Sequence, residues 1–121
     1  MKHTDKGHLG ELLGMAWLMK KGYWVFKNQA HQGPIDCVAV DKKTGEILLL
    51  DFKCVSRYKT GGLRSRTVST QARKLGVRLL YVDVEKMECR IVKRRKDLNM
   101  KRNINGRQWA KTEIFTKISN N

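Results

Sequence analysis

Two short apolar stretches, each carrying one carboxylate, set the tightest constraint on this chain. Residues 35–40 and 46–53 have strand length and are rich in Ile, Leu, Val and Phe. Residues 42–45 end in glycine and supply a turn, so the two stretches predict a hairpin. Asp36 and Asp51 then fall at strand ends that neighbour each other. Side chains at i and i+2 of a strand share a face, so Asp51 and Lys53 point into one space. An ionised carboxylate among Ile35, Cys37, Val38, Leu49, Leu50 and Phe52 is costly unless it is paired or bound to a cation. Two converging carboxylates make a hard-oxygen site suited to Mg²⁺, with Mn²⁺ as a substitute; Mg²⁺ keeps waters and takes phosphate oxygens as further ligands. Lys53 beside them can orient or deprotonate an attacking water, or neutralise developing charge. That is the equipment of metal-assisted phosphodiester hydrolysis. Read apart, Asp36 is a turn residue and Asp51–Lys53 an exposed ion pair of little energetic worth. The second acid, the hairpin and the charge of the chain favour the metal site.

The rest of the chain supports an α/β arrangement. Leu9, Leu12, Leu13 and Ala16 recur at i, i+3, i+4 and i+7, so residues 5–21 predict a helix, capped by Thr4 or Asp5 and closed by Gly22. Residues 23–27 read as a strand and Gly33-Pro34 as a turn. Residues 54–66 are polar and basic around Gly61-Gly62 and read as a loop. Val68, Ala72 and Leu75 mark a second helix ended by Gly76. Residues 77–84 are an apolar strand buried on both faces, residues 89–93 a further short strand, and residues 109–118 a last one. With 121 residues, one domain is expected over residues 1–121: a core at about 6–92 and a basic C-terminal extension at about 93–121.

Charge narrows the partners. Lys and Arg total 26 against 11 Asp and Glu, a net +15. Residues 61–121 hold 16 basic and 5 acidic side chains, against 10 and 6 in residues 1–60. Such a field repels itself, and a polyanion is the partner that relieves it. An anionic membrane surface would call for a basic amphipathic helix, which the densest basic tract does not show. No apolar run approaches the roughly 20 residues that span a bilayer, and no N-terminal signal pattern is present. Cys37, Cys54 and Cys89 are odd in number and widely spaced, which fits neither a disulfide framework nor a zinc knuckle. A cytoplasmic protein is expected, either cellular or phage-encoded and acting in a host cell.

Glu11 adds a third acid. Its helix neighbours at i−4 and i+3 are Gly7 and Gly14. Small residues there either leave the carboxylate accessible for chemistry or form a glycine groove that packs closely on a sheet, with Glu11 merely solvated. Gly7, Gly10 and Gly14 are no dinucleotide loop, since no strand precedes them, and no nucleotide cofactor is expected.

Taken in order, Lys6-Gly7, Gly10-Glu11, Lys21-Gly22-Tyr23, Gly33-Pro34-Ile35-Asp36 and Leu50-Asp51-Phe52-Lys53 resemble the PD-(D/E)XK nuclease superfamily. Within it, the text is similar to archaeal-type Holliday junction resolvases and to small phage and intron-associated endonucleases, over about residues 6–84. The resemblance implies a restriction-endonuclease-like αβββαβ core with a mixed sheet, Mg²⁺-dependent cleavage of DNA, and usually a homodimer. It implies that Asp36 and Asp51 are metal ligands, that Lys53 is the catalytic lysine, and that Glu11 matches the helix glutamate that orients metal or water. Ile35-Asp36 replaces the superfamily's Pro-Asp, and the basic C-terminal stretch has no counterpart in the pattern.

Secondary candidates surround this set. Gln71 and Lys74 sit opposite the apolar stripe of the second helix, where superfamily members place a supporting Gln or Lys; a solvated helix face explains them somewhat better. His31 lies in the loop that enters the site. Arg57, Tyr58, Lys59, Arg64 and Arg66 form a basic loop directly after the active-site strand, and Arg73 follows on the second helix. Lys93, Arg94, Arg95, Lys96, Lys101, Arg102 and Arg107 would track the phosphate backbone without reading sequence. The expectation is a metal-dependent endonuclease acting on branched or duplex DNA, foremost a structure-selective resolvase of recombination intermediates. A site-specific enzyme of the homing or restriction kind is the alternative. A non-catalytic nucleic-acid-binding protein explains the charge but not the acids and lysine.

Overall fold

The computed structural model describes residues 1–57, 59–62, 64, 67–92 and 115–118. Helix α1 (His3–Lys20) leads into β1 (Tyr23–Lys27), β2 (Cys37–Asp41) and β3 (Ile47–Cys54). Helix α2 (Thr70–Leu75) follows, then β4 (Arg78–Asp83), β5 (Glu88–Ile91) and β6 (Thr116–Lys117). The strands form one six-stranded sheet in chain order. Neighbours are antiparallel except β3 and β4, which run parallel with α2 in the connection between them. The expected α/β fold with a mixed sheet is present. No helix is long and apolar enough to cross a membrane, among the described residues.

Local chemistry sets the element ends. Helix α1 starts at Lys2 with no side-chain cap, so Thr4 and Asp5 lie inside the first turn rather than capping it. Gly22, with φ +97°, takes the chain out of the helix and into β1. Ser69 caps α2 by accepting from the Ala72 N–H at 3.1 Å, and Gly76 closes it in the left-handed region at φ 81°.

The core lies between α1 and one face of the sheet. Trp17 and Leu18 meet Cys37, Ala39, Leu48, Leu50, Phe52, Leu80, Val82, Cys89 and Ile91. Each fully buried Leu or Val there contributes about 1.5–3 kcal/mol relative to exposure. The opposite face carries a smaller cluster of Val55, Leu79 and Tyr81, with Val68 packed against it. Strand β4 is therefore covered on both faces, as its sequence predicts.

The buried side of α1 corrects the sequence reading. Leu13 and Ala16 pack against the core as read, but Leu12 is exposed, and the residues buried most deeply are Gly10, Gly14, Trp17 and Leu18. A Cβ at Gly14 would sit 2.9 Å from Phe52 Cε1, and one at Gly10 would strike Cys54 Sγ. Glycine is needed at both because β3 approaches the helix closely there. Gly7 meets nothing within 4 Å.

Residues 116–117, within the expected C-terminal extension, belong to the sheet, where β6 pairs with β5. Ile118 is buried in the main core, and Trp17 Nε1 donates to Thr116 Oγ1 at 2.9 Å.

Candidate active site

Strands β2 and β3 bring the two acids together. The Asp36 N–H donates to the Leu50 carbonyl at 2.8 Å, extending the β2–β3 ladder by one position beyond Cys37↔Leu50. Asp36 Oδ2 accepts from the Phe52 N–H at 2.7 Å. One acid is thus clamped to the backbone between Asp51 and Lys53. Strand alternation then fixes the other side chains. Leu48, Leu50 and Phe52 are buried toward α1, while Asp51 and Lys53 are partly exposed on the opposite face.

A loop staple holds Asp36 in place. Asn28 Nδ2 donates to the carbonyls of Gln32 at 2.6 Å and Ile35 at 2.8 Å, and Asn28 Oδ1 accepts from the Ala30 N–H. The Asn28 N–H itself donates to the Asp36 carbonyl at 3.0 Å. Asn28 is a positioning residue that the sequence reading missed. The available signal was a short polar side chain at the start of a Gly-Pro loop, a place where Asn closes turns on its own backbone.

The electrostatics of the pair are those of a site awaiting positive charge. Burial pushes the Asp51 carboxyl up to about 6, the hydrogen bond with Asp36 adds to this, and Lys53 pulls the other way. Lys53 Nζ lies 3.6 Å from Asp51 Oδ2. Burial and the nearby charges of Asp36 and Glu11 together raise the Cys37 thiol to about 12. Cys37 therefore stays protonated and is no nucleophile.

The pair opens into a cleft of about 460 Å³. Asp36, Asp51 and Lys53 line it from the sheet. His3, Lys6, His8 and Glu11 line it from the first turns of α1. The N-terminal turn is fastened there by Cys54 Sγ, which donates to the Lys6 carbonyl at 3.3 Å. The four principal residues of the sequence reading thus share one cleft. His3, Lys6 and His8 join them, and the spacing of His8 and Glu11 at i and i+3 is the signal that could have flagged the histidine.

A divalent cation suits these residues. Two oxygen-bearing side chains held in contact at a cost in charge are what Mg²⁺ relieves, and it completes its shell with water and phosphate. Glu11 borders the same space. Among the described residues, no three His, Cys, Asp or Glu side chains cluster tightly enough to hold an ion by themselves.

The secondary candidates lie elsewhere. His31 is exposed, with φ 57°, and does not line the cleft. Gln71, Arg73 and Lys74 are exposed on α2, also outside it. Lys59 and Arg64 are exposed in the loop after β3. Arg57 is engaged within the protein: it pairs with the buried Asp83 at 2.5 Å and approaches Glu85 at 3.9 Å. Tyr58, Arg66, Lys93, Arg94, Arg95, Lys96, Lys101, Arg102 and Arg107 lie outside the described residues.

Comparison with known proteins gives a fold but no family. No protein-family description matches the chain, and no curated protein matches it significantly. Among solved structures, the chain is similar to a bacterial homing endonuclease, I-Ssp6803I, with a TM-score of 0.60 at 16% identity. That likeness covers 96% of this chain and 78% of the other. The fold of this protein is one that a DNA-cutting enzyme also uses.

Proposed function

We propose that this protein is a metal-dependent DNA endonuclease. The observation that carries the reading is the contact of Asp36 with Asp51 beside Lys53, at the mouth of a cleft in a strongly basic chain. A pure nucleic-acid-binding protein has no use for two carboxylates forced together on the side that a polyanion would approach. The chain is taken to act as a single domain and as a homodimer, because its described residues offer one such cleft and a duplex has two strands.

Each residue has a definable task. The Phe52 N–H fixes Asp36 Oδ2, so that carboxylate is preorganised. Asp36 and Asp51 would hold Mg²⁺. When bound, it supplies the positive charge that polarises the scissile phosphate and offsets charge gathering on its oxygens. Lys53 Nζ projects beside the pair, where it can orient an attacking water and take up its proton or stabilise the developing charge. Glu11 closes the cleft from α1 and can hold a water by hydrogen bonding. Lys6 adds a positive charge for the DNA backbone.

Of the two nuclease readings, the site-specific homing type is favoured over the junction resolvase. What supports it is the likeness to a homing endonuclease along nearly the whole chain; nothing equivalent supports the resolvase. The test is cleavage in Mg²⁺ by wild type, Asp51→Asn and Lys53→Ala. Substrates are a plasmid carrying many candidate sites, a linear duplex and a labelled four-way junction. The expected result is cutting of the plasmid at discrete positions, reduced about 10²–10⁴-fold by Lys53→Ala and abolished by Asp51→Asn, with DNA binding retained. Cutting confined to the junction would restore the resolvase. Tight, salt-sensitive binding with no cutting in Mg²⁺ or Mn²⁺ would replace the enzyme with a binding protein.

A further inference from the structure

Strand register carries the face of the cleft sideways across the sheet. Lys53 pairs with Tyr81 of β4, and Tyr81 pairs with Arg90 of β5. Directly paired residues share a face, so the three form one row on the side turned away from α1. A strand spacing of about 4.8 Å sets the Arg90 backbone about 10 Å from that of Lys53. Val55 borders both the cleft and a second, smaller cavity of about 10 Å³. Arg64, Tyr81, Arg90 and Phe115 complete the lining of that cavity.

Arg90 is held by rings and by no oxygen. Its guanidinium carbon lies 5.1 Å from the centre of the Tyr81 ring and 4.9 Å from that of the Phe115 ring. Both rings belong to the smaller core, Tyr81 as a buried member and Phe115 packed against it. Two aromatic contacts fix the group in place and stabilise its charge. Yet Nε is closed off from solvent and has no hydrogen-bond partner. A buried donor on a charged group that bonds to nothing is costly. Neighbouring arginines differ: Arg57 is paired with Asp83, and Arg78 Nε donates to the Val92 carbonyl at 3.5 Å. Among the described residues no carboxylate pairs with Arg90.

The lining of the small cavity selects what completes it. Arg64 and Arg90 are charged at every working pH, and no acid lines the cavity among the described residues. A water oxygen accepts from Nε but leaves two cations facing one space. An anionic oxygen accepts and offsets them together. The volume admits one oxygen-sized group. A whole phosphate does not fit; one of its oxygens does, with the remainder outside. Arg64 is exposed, so the cavity lies at the surface on that side. A DNA strand presents phosphates at about 3.4 Å intervals along its axis. A strand that crosses the Asp36, Asp51 and Lys53 site therefore brings another phosphate near Arg90.

We propose that Arg90, clamped between Tyr81 and Phe115 and flanked by Arg64, binds one phosphate oxygen of the DNA backbone a few nucleotides from the phosphate that is cut. Its place relative to the cut rests on the endonuclease reading; the binding of a backbone phosphate does not. The rings hold the guanidinium before DNA arrives, so little side-chain freedom is lost when the bond forms. Arg90 is thus a positioning residue: it fixes where the strand lies and reads no sequence.

The experiment measures duplex binding by the full chain in EDTA, where cutting plays no part, over a range of salt concentrations. Wild type is compared with Arg90→Met, which keeps an unbranched chain between the rings and removes the charge. Each phosphate contact adds about 0.9 to the slope of log affinity against log salt. The expected result for Arg90→Met is a slope smaller by about one and an affinity lower by about 10-fold or more, with circular dichroism and melting temperature kept. In isotope-labelled wild type, the Arg90 Nε–H resonance must shift when duplex is added. A merely structural arginine would not give that shift, and it decides the matter if Arg90→Met fails to fold. Wild-type slope and affinity in a folded Arg90→Met, or a resonance that duplex does not move, overturns the proposal. Inorganic phosphate at constant ionic strength separates the sources: if it moves the resonance and duplex does not, the cavity takes a free ion and the DNA assignment falls. Absence of duplex binding overturns this proposal and the endonuclease reading together. The expected loss in Arg90→Met, in a protein that never cuts in Mg²⁺, leaves the phosphate site standing and removes the endonuclease reading alone.

Discussion

Replacing Gly14 by Ala sets two physical effects against each other. Ala in a helix interior is favoured over Gly by about 1 kcal/mol, so α1 considered alone should gain stability. In the folded protein, however, the new methyl would lie 2.9 and 3.0 Å from two Phe52 ring carbons and 3.4 Å from Leu80 Cδ2. Carbon atoms rest at about 3.5–4.0 Å, so the overlap is half an ångström or more on a ring that is only 8% exposed. Overpacking of that kind costs about 1–3 kcal/mol. The net expectation for Gly14→Ala is therefore a loss of about 0–2 kcal/mol. Gly7→Ala is the internal control, because a methyl there meets nothing within 4 Å. It should gain up to about 1 kcal/mol. Urea unfolding of both variants at one pH measures the difference, which should be about 1–3 kcal/mol and appear as a few degrees in thermal melting. Adding Phe52→Leu to Gly14→Ala should recover part of the loss, since the two sites share the clash. Equal stabilisation by both glycine replacements would refute the close approach of β3 to α1.

Two further expectations concern charge. Asp51 has a folded-state pKa of about 6, above its unfolded value near 3.8, so its stabilising contribution is complete below pH 4 and is lost as pH rises through 6. Metal-free protein should lose stability over that window, by less than the whole shift implies because water screens the half-buried carboxyl, Asp51→Asn should abolish the dependence, and millimolar Mg²⁺ at pH 7 should raise the melting temperature of wild type only. Asp83 has the opposite sign. Burial alone would raise its pKa, but the Arg57 hydrogen bond and the Lys86 N–H outweigh that and hold it below the usual value. Its contribution is present above about pH 4 and fades as pH falls further; Arg57→Gln should lower the melting temperature at pH 7 and flatten the acid limb, and an unchanged acid limb would show that the pair is not coupled to folding.

How much of this was legible in the sequence depends on what fixes each element. The hairpin and β4 were legible because apolar strands of that length have few alternatives. The Asp36–Asp51–Lys53 set followed from strand alternation and antiparallel pairing, both of which are geometric. The buried side of α1 was legible only in part, through Leu13 and Ala16, because hydrophobic periodicity counts large side chains. Here the close contact is made by the two residues with none, Gly10 and Gly14, and the bulk that fills the gap comes from Phe52 and Cys54 on β3. Arg57 was read as a nucleic-acid contact from its loop position, yet Asp83, 26 residues away, takes its guanidinium. No local pattern encodes such a pairing. Asn28 was missed for the same reason: its partners become visible only when the loop to Asp36 is closed.

The bond from Trp17 to Thr116 and the burial of Ile118 have a topological consequence. Seven Lys and Arg residues between positions 93 and 107 belong to a segment that leaves the sheet at β5 and returns to it at β6. Both ends of that segment are therefore held by described strands of one sheet. On the endonuclease reading, once DNA touches any other part of the protein, those charges act on it at an effective concentration set by the length of the connection rather than by the bulk solution. Cutting the chain before Thr116 would leave every one of those charges in place and release that confinement.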